Sequence, residues 1–430
     1  MKANNQFSAA LHICMQSGLY AEHLAGLVAD GEIDPAALDC AVLRVLRTKQ
    51  ALGLFDNPWR GFDRPHDAGP LRDFARAAAR RCPALLRNEG GVLPLGHGLR
   101  IALIGPFARE HAHLNGAWAI FADNRHSVNL EEGFAASPEL GELIVAAGCD
   151  IEALIDGGIA EAERAAAQAD VIVLALGEGQ HMSGESRSRA DPSLPEAQLV
   201  LARAMRRLGK PVDTLLRCGR PLVIPELVEL SDALLVTWSL GAQTGHAVAD
   251  LAFGRASPSG RLPMSFPRHV GQLPIYYARK ATGRPPAPGQ LRFTARYLDV
   301  EPGPLFPFGF GLTYGRAAYG ATRVDRGRLA WDERLTISCT ITETGGGAIE
   351  EVAQLYIRDL AASRIRPLRE LKDFRKVAIG ANGTADVTFM LDRSTLAFAD
   401  GSVEPGTFQV WIAPHAEAGE PALFNLEPAA

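Results

Sequence analysis

The sequence predicts an open, mostly parallel α/β domain followed by a β-sandwich. Between about residues 71 and 275, short and continuously apolar segments alternate with segments of helical periodicity. Such an alternation is typical of a parallel sheet that is covered by helices on both faces. After residue 319, apolar and polar residues alternate and turn signals separate the segments. This second pattern, without helices, predicts the strands of a sandwich.

The length and composition also favour several domains. A chain of 430 residues exceeds what one hydrophobic core usually serves. Hydrophobic residues make up 47% and charged residues 22%, an ordinary balance for a folded chain. The predicted parts are helices and a linker over 1–62, the α/β domain over 63–275, a connector over 276–318 and the sandwich over 319–430.

The clearest helix of the first part is predicted between Asp34 and Gly53. Asp34 can cap its start, Pro35 suits the first helical position and Gly53 suits the C-terminal turn. Apolar side chains recur along it at helical spacing and form a face that needs a partner surface. These side chains are Leu38, Val42, Val45, Leu46 and Leu52. The Pro- and Gly-containing string RGFDRPHDAGP then predicts a linker.

The elements of the two larger domains follow from their periodicity. In the α/β domain, helices are predicted in DFARAAARRC, in IAEAERAAAQA, from Leu199 to Leu208 and up to Ala249. Its strands are predicted in RIALIGP, DVIVLALG, PVDTLLRC and ALLVTW. The sandwich strands are predicted in RLTISCTIT, EEVAQLYIRDL, DVTFML and GTFQVWIAP.

Charge and hydropathy exclude two classes of partner. A formal net charge of -5 gives no basic field for nucleic acid or for an anionic membrane. No window approaches the roughly 18 apolar residues of a membrane span. The apolar stretch at the start is too short for a signal peptide. We therefore expect a cytoplasmic location for the chain as written, with a periplasmic or secreted location left open for a longer parent.

Neither a metal nor a cofactor is predicted. The six cysteines lie far apart without CxxC spacing, and we interpret them as mostly buried small hydrophobes. They are Cys14, Cys40, Cys82, Cys149, Cys218 and Cys339. His111, His113 and His181 have no acidic partner at regular spacing and are interpreted as solvated loop residues. The lone glycine in LIGPFARE is far weaker than a dinucleotide-binding fingerprint.

Several strings resemble glycoside hydrolase family 3 and occur in that family's order. The string LAGLVADGEIDPAALDCAVLRVLRTKQALGLFDNP resembles the last helices of its catalytic (β/α)₈ barrel. DVIVLALGEGQHMSGESRSRADPSLPEAQ is similar to its acid/base strand and loop, and EEVAQLYIRD and VEPGTFQVWIA resemble its fibronectin type III-like domain. The resemblance implies a retaining β-glucosidase-type hydrolase, with a barrel remnant over 1–62 and a fibronectin type III-like sandwich over 319–430.

Retaining hydrolysis needs two carboxyl groups roughly 5 to 5.5 Å apart, one as nucleophile and one as acid/base. The resemblance implies that the nucleophile is an aspartate in an SDW or SDH motif of a barrel of about 250 residues. Only about 60 residues precede the α/β domain here, and they contain no such motif. We therefore expect this chain to be inactive alone. Its predicted partners are a β-glucoside or oligosaccharide substrate and a barrel supplied in trans.

The acid/base has two candidates, Glu178 and Glu185, on the loop after DVIVLALG. A loop at the carboxyl end of a parallel strand is where open α/β sheets place ligand groups. The resemblance favours Glu185, because of its position before SLPEAQ, and leaves Glu178 as the alternative. In a purely structural interpretation, Glu178 buttresses the loop and Glu185 is a solvated charge.

Two further residues are candidates for binding the substrate. Arg189 either contacts the substrate or fixes the loop by pairing with Asp191 or a glutamate, and the second interpretation is favoured. Trp118 either forms an aromatic platform at the site or belongs to the core, as a Trp among apolar neighbours often does.

Two classes of function remain open from the sequence. The first is a β-glucosidase-type hydrolase that receives its nucleophile from elsewhere. The second is a non-catalytic accessory module that binds sugars or a partner. β-Xylosidase and N-acetylglucosaminidase activities also occur in proteins of the family, and the resemblance places the residues that select the sugar mostly in the barrel.

Overall fold

The computed structural model describes residues 13, 15, 17–62, 68–119, 123–285 and 293–428. The chain divides into two compact units, Met1–Ala68 and Gly69–Ala430. In the described part of the first unit, α1 spans Leu19–Ala29 and α2 spans Pro35–Ala51.

Helix α2 begins and ends as its sequence predicts. The Asp34 side chain accepts a hydrogen bond from the Ala36 backbone N–H at 2.9 Å, and Gly53 adopts a φ of +69°. Val42 and Leu46 of the predicted apolar face are 47% and 39% exposed. Residues at both ends of the helix therefore cap it, but part of its apolar face remains exposed. The centre of the predicted linker, 63–67, lies outside the described residues.

The second unit contains the predicted α/β sheet. Its strands are β1 (Ala84–Asn88), β2 (Arg100–Ile104), β3 (Glu142–Ala146), β4 (Val171–Gly177), β5 (Val212–Arg217) and β6 (Ala233–Val236). They form one sheet in the order β1-β6-β5-β4-β2-β3. Strands β2 to β6 pair in parallel, whereas β1 is antiparallel to β6. The prediction of an open, mostly parallel sheet is confirmed.

Two of these strands are not among the predicted ones, because their patterns are weak. β1 and β3 have five residues each, and β3 is only half-buried over most of its length. The apolar run of β1 ends after three buried residues, and β3 is only half-covered, so neither has the continuous apolar run that identifies β4. Both lie at the edges of the sheet, where one neighbouring strand is missing.

Helices cover both faces of the sheet. On one face lie α5 (Gly158–Gln168), α6 (Glu196–Arg206) and α7 (Pro225–Leu230), and on the other α4 (Leu130–Ala135) and α8 (Thr244–Ala252), whereas α3 (Ala68–Arg81) precedes β1 and contributes to neither core. Successive side chains of β4 enter different cores: Leu174 packs in the cluster that contains Leu201 of α6, and Val173 in the cluster that contains Val248 of α8. None of the helices within the described ranges has the length and apolar content to cross a bilayer.

The predicted β-sandwich follows. Its strands are β7 (Ala317–Tyr319), β8 (Arg323–Val324), β9 (Arg328–Leu329), β10 (Leu335–Glu343), β11 (Ile349–Asp359), β12 (Glu370–Ile379), β13 (Thr384–Leu391), β14 (Gly406–Ala413) and β15 (Ala422–Leu426). One sheet has the order β13-β10-β7, with β8 also on β10, and the other has the order β12-β11-β14-β15-β9. A one-turn helix, α9 (Arg393–Leu396), departs from the expectation of strands alone.

The cysteines follow the prediction only in part. Cys149, Cys218 and Cys339 are buried, as expected, but Cys40 and Cys82 are exposed. Cys40 lies on the uncovered side of α2 and Cys82 directly follows α3, so neither position belongs to a core. Cys14 lies outside the described residues.

Strand β5 buries a carboxyl group that has no partner. Asp213 is fully buried, and neither of its carboxyl oxygens forms a hydrogen bond within the described residues. Burial raises its pKa from an ordinary 3.8 to about 8. Between about pH 4 and pH 8 the folded chain therefore binds more protons at this site than the unfolded chain. The contribution of Asp213 to stability is most favourable below pH 4 and is lost as the pH rises to about 8.

We expect Asp213→Val to raise the free energy of unfolding by a few kcal/mol at pH 8, with a gain that shrinks towards pH 4. Valine removes the unpaired polar group and has nearly the same size. Denaturant unfolding monitored from pH 4 to pH 9 measures the effect. As a control, Asp170→Asn should change the pH dependence only in acid, because Arg100 holds the pKa of Asp170 at about 2. An unchanged slope between pH 4 and pH 8 in Asp213→Val would contradict the neutral carboxyl.

Candidate active-site loop

All four predicted site residues lie on loops that follow the carboxyl ends of strands of the α/β sheet. The chain passes from β2 to β3 on one side of the sheet and from β4 to β5 on the other side. The strand order therefore reverses direction between the neighbouring strands β2 and β4. The carboxyl ends of strands at such a switch point border a crevice in which open α/β sheets bind ligands. Trp118 lies on the loop after β2. Glu178, Glu185 and Arg189 lie on the loop after β4, residues 178–193, which we call the acid loop.

Glu178 lies beneath the acid loop rather than on its surface. Its side chain is fully buried and accepts a hydrogen bond from Nη1 of Arg189 at 2.8 Å. Nε of Arg220 lies 3.6 Å from the same carboxylate oxygen. The Glu178 backbone N–H donates to the carbonyl of Arg217 at 2.9 Å. The Glu178 carboxyl group therefore lies between two arginines, of which Arg189 donates a hydrogen bond to it.

Arg189 fixes the loop through a glutamate. Besides Glu178, its guanidinium donates to the carbonyl of Ser193 at 3.0 Å. Asp191, the other predicted partner, instead accepts hydrogen bonds from the backbone and hydroxyl of Ser193. The bond from the Ser193 hydroxyl is the main cause that lowers the pKa of Asp191. The geometry thus gives Arg189 a place in the base of the loop.

Arg220 is the residue of this site that the sequence analysis did not single out. Its Nη2 donates to the carbonyl oxygens of Met182 and Arg187, each at 2.6 Å. One guanidinium therefore ties both ends of the segment 182–187 to the loop after β5. Its position in the sequence could have indicated a place in the site. In RCGR it directly follows a buried strand, at the same end of the sheet as the acid loop.

Glu185 lies within this tied segment and is exposed. The backbone around it is unusual, because Gly184 has a φ of +108° and Ser186 a φ of +56°. A non-glycine residue with positive φ is uncommon and is often found where a loop has a functional role. Within the described residues, the Glu185 carboxylate has neither an ion-pair nor a hydrogen-bond partner. The arrangement leaves this carboxylate available to a ligand.

Trp118 is 69% exposed, which excludes the core interpretation. Its indole Nε1 lies 4.0 Å from the point where a Cβ on Gly184 would stand. A Cβ on Gly184 would also stand 2.8 Å from the Ala117 side chain, so a larger residue at Gly184 would displace the loop that carries Ala117 and Trp118. Trp118 therefore lies beside the residue that precedes Glu185, at the surface of the same edge.

The interpretation of the histidines as solvated loop residues holds for the exposed His181 but is wrong for His111 and His113, which are half-buried. His113 is half-buried, and its Nδ1 accepts the backbone N–H of Gln180 at 3.2 Å. Burial is the main cause that lowers its pKa. His181 is exposed but lies 3.0 Å from a carboxylate oxygen of Glu152, and His111 contacts the amide of Asn129 at 3.0 Å. In the ranges that the structure describes, no three His, Cys, Asp or Glu side chains could hold a metal ion together.

Comparisons with known proteins agree with this architecture. Residues 83–314 match the Glycosyl hydrolase family 3 C-terminal domain, and residues 351–416 match a Fibronectin type III-like domain. The periplasmic β-glucosidase of Salmonella typhimurium is 34% identical over 94% of this chain and 57% of its own length. A β-xylosidase of Formosa agariphila is 34% identical over 90% of this chain and 55% of its own length.

Solved structures of β-glucosidases are also similar to this chain. The β-glucosidase from Listeria innocua in complex with glucose superposes with a TM-score of 0.91 at 36% identity, over 99% of this chain and 60% of that one. A mutant of the same enzyme was solved in complex with laminaribiose. This chain thus spans 55 to 60% of the length of these relatives. The two matched domains and the identity over nearly the whole chain show that it belongs to glycoside hydrolase family 3.

Proposed function

We propose that this chain provides the acid/base part of a retaining β-glucosidase, with Glu185 as the general acid and with the nucleophile outside these 430 residues. The observation that carries the proposal is an exposed carboxylate, unpaired within the described residues, on a loop tied at both ends at the switch point of the sheet. The name of the Salmonella relative and the glucose and laminaribiose complexes of the Listeria enzyme support a β-glucosyl substrate.

Accessibility favours Glu185 over Glu178. A general acid has to come within hydrogen-bond distance of the oxygen that it protonates. The Glu178 carboxylate has no exposed surface and already accepts a hydrogen bond from Arg189. Glu178 and Arg189 are therefore assigned a positioning role, in which they hold the backbone that presents Glu185.

The chemistry follows from this placement. Glu185 donates its proton to the glycosidic oxygen while the nucleophile attacks the anomeric carbon, and a glycosyl-enzyme forms as the leaving group departs with that proton. The Glu185 carboxylate then takes a proton from the water that attacks the anomeric carbon, which restores both carboxyl groups. The exposed ring of Trp118 offers an apolar surface beside the acid for the departing sugar or aglycone.

A β-xylosidase is the second candidate, because the Formosa relative named so is as similar as the Salmonella enzyme. The acid loop does not distinguish the two sugars, since Glu185 acts on the glycosidic oxygen that both substrates share. Aryl β-glucoside and aryl β-xyloside are therefore to be assayed together in every experiment.

The purified chain is expected to leave p-nitrophenyl β-D-glucoside and the xyloside unhydrolysed beyond the uncatalysed rate. An acid without a nucleophile lacks most of the stabilisation of the transition state. Release of p-nitrophenol measures this. Turnover at an ordinary glycosidase rate that disappears in Glu185→Gln would contradict a nucleophile outside the chain.

Activity should appear when this chain is mixed with the separately expressed segment of the Listeria enzyme that it does not match, and should rise with both concentrations. Glu185→Gln should lower the rescued rate by about 10² to 10⁴. The loss should be larger for cellobiose than for the aryl glucoside, because p-nitrophenolate leaves with little protonation whereas a sugar alkoxide does not.

Glu178→Gln is the matched control for that experiment. We expect it to lower the melting temperature, because it removes the anion between Arg189 and Arg220, while the folded fraction retains most of the rescued activity. Gel filtration establishes that each variant forms the complex. Rescue that survives in Glu185→Gln and is lost in Glu178→Gln would transfer the acid role to Glu178.

Arg220→Ala should release the acid loop, because the carbonyl oxygens of Met182 and Arg187 lose their donor. Hydrogen bonds to a charged group contribute about 1.5 to 3 kcal/mol each, so we expect tryptic cleavage after the exposed Arg187 to accelerate about tenfold or more. Mass spectrometry of a short digest measures this rate. Arg203→Ala, which removes an arginine of α6 that pairs with Glu226, should leave it unchanged. Equal rates in both variants would show that Arg220 does not fix the loop.

A further inference from the structure

We propose that a cavity in the connector between the two domains is a second saccharide-binding site. The connector cavity has a volume of about 440 Å³ and is lined by residues within 265–279 and 295–307 and by Ala416 and Glu417. Its volume falls in the range of small-molecule sites in proteins. None of its lining residues belongs to the acid loop, so the proposal does not depend on the role of Glu185.

One side of the connector cavity is already rigid without a ligand. Tyr277 stacks on Phe308 with ring centroids 4.2 Å apart and an interplanar angle of 18°. The Gln272 side chain accepts the backbone N–H of Arg268 at 2.7 Å and donates to the carbonyl oxygens of Glu301 and Gly303 at 3.1 and 2.9 Å. A wall that is fixed in advance loses little conformational entropy when a ligand binds.

Two aromatic rings of the same cavity remain available to a ligand. Tyr276 is 67% exposed and Tyr297 is 48% exposed. The Tyr297 hydroxyl donates to the Gly271 carbonyl, which holds that ring in place. Aromatic faces carry partial negative charge, and a pyranose ring presents C–H groups of the opposite polarity on one of its faces. Tyr276 and Tyr297 can therefore contact a sugar ring through their faces.

The polar groups of the cavity suit a neutral, hydroxyl-rich ligand. Arg279 and Glu417 both line it, yet within the described residues neither side chain has an ion-pair or hydrogen-bond partner. The guanidinium only donates hydrogen bonds and the carboxylate only accepts them, whereas a sugar hydroxyl does both. Because charges of both signs line the cavity, a ligand of either charge would meet repulsion as well as attraction, whereas a sugar hydroxyl can accept from Arg279 and donate to Glu417. Arg296, a further cation of the lining, is already engaged in an interaction.

The test is saturation-transfer difference NMR on the full chain with cellobiose as the probe. We expect transfer from protein to sugar protons, and at least a fivefold loss of it in Tyr276→Ala and in Glu417→Gln. Both side chains are exposed, so both variants should retain the parent's circular dichroism and melting temperature. Phe374→Ala is the matched control, because it removes an aromatic ring of similar exposure, 63%, from β12 without touching the cavity.

The outcomes separate this site from the acid loop. Transfer that persists in Tyr276→Ala and Glu417→Gln but disappears in Trp118→Ala would overturn the second site and leave the proposed function intact. Absence of transfer at tens of millimolar cellobiose would also overturn it. Transfer to p-nitrophenol but not to cellobiose would show that the cavity takes aromatic groups and not saccharides. Loss in Tyr276→Ala, with retention in Glu185→Gln and Phe374→Ala, is the result that supports the proposal.

Discussion

The buried carboxylate of Glu178 and the guanidinium groups of Arg189 and Arg220 form the base on which the acid loop rests. Burying an unpaired carboxylate costs several kcal/mol, so this position tolerates Glu178 only while the arginines remain beside it. Those arginines carry the constraint into the backbone, since Arg189 also binds the carbonyl of Ser193 and Arg220 binds that of Met182. The requirement to neutralise one charge thus fixes the course of the whole loop.

The backbone around this group of side chains also gives the two glutamates different environments, buried for Glu178 and exposed for Glu185. Gly177 ends β4 with a φ of +144°, and a Cβ there would meet the Arg217 carbonyl at 1.8 Å. Only glycine permits the chain to turn this close to β5 and direct Glu178 inward. Seven residues later, the positive φ of Gly184 and Ser186 reverses the chain again at the surface and leaves Glu185 exposed. Glu178 is therefore buried and Glu185 exposed because of backbone geometry, not because of side-chain chemistry.

Local patterns predicted the sheet, the sandwich and a loop after β4, because continuous apolar runs and their ends are visible in a few adjacent residues, whereas the acid/base role of that loop was suggested by the family resemblance and stays a prediction. The burial of Glu178 could not be predicted in this way, since Arg220 stands on a different loop and approaches only after β5 pairs with β4. The exposure of Trp118 likewise could not be predicted, because the apolar residues beside it in the sequence do not show that its loop lies at the surface near Gly184. Asp213 is the opposite case: the run PVDTLLRC predicted its strand correctly, although no local signal showed that its carboxyl would lack a partner.

The proposed function requires a nucleophile from outside these 430 residues, and the contacts that hold the acid loop bear on what a partner that carries it would have to supply. His113 comes from the loop after β2, Arg217 from the end of β5, and Arg220 from the loop after it, so every anchor described here belongs to the α/β domain itself. The conformation that exposes Glu185 therefore does not require a barrel to induce it. Under the proposed function, association with a partner that carries the nucleophile would therefore not have to offset the cost of ordering this loop, because the loop's conformational entropy is already lost on folding.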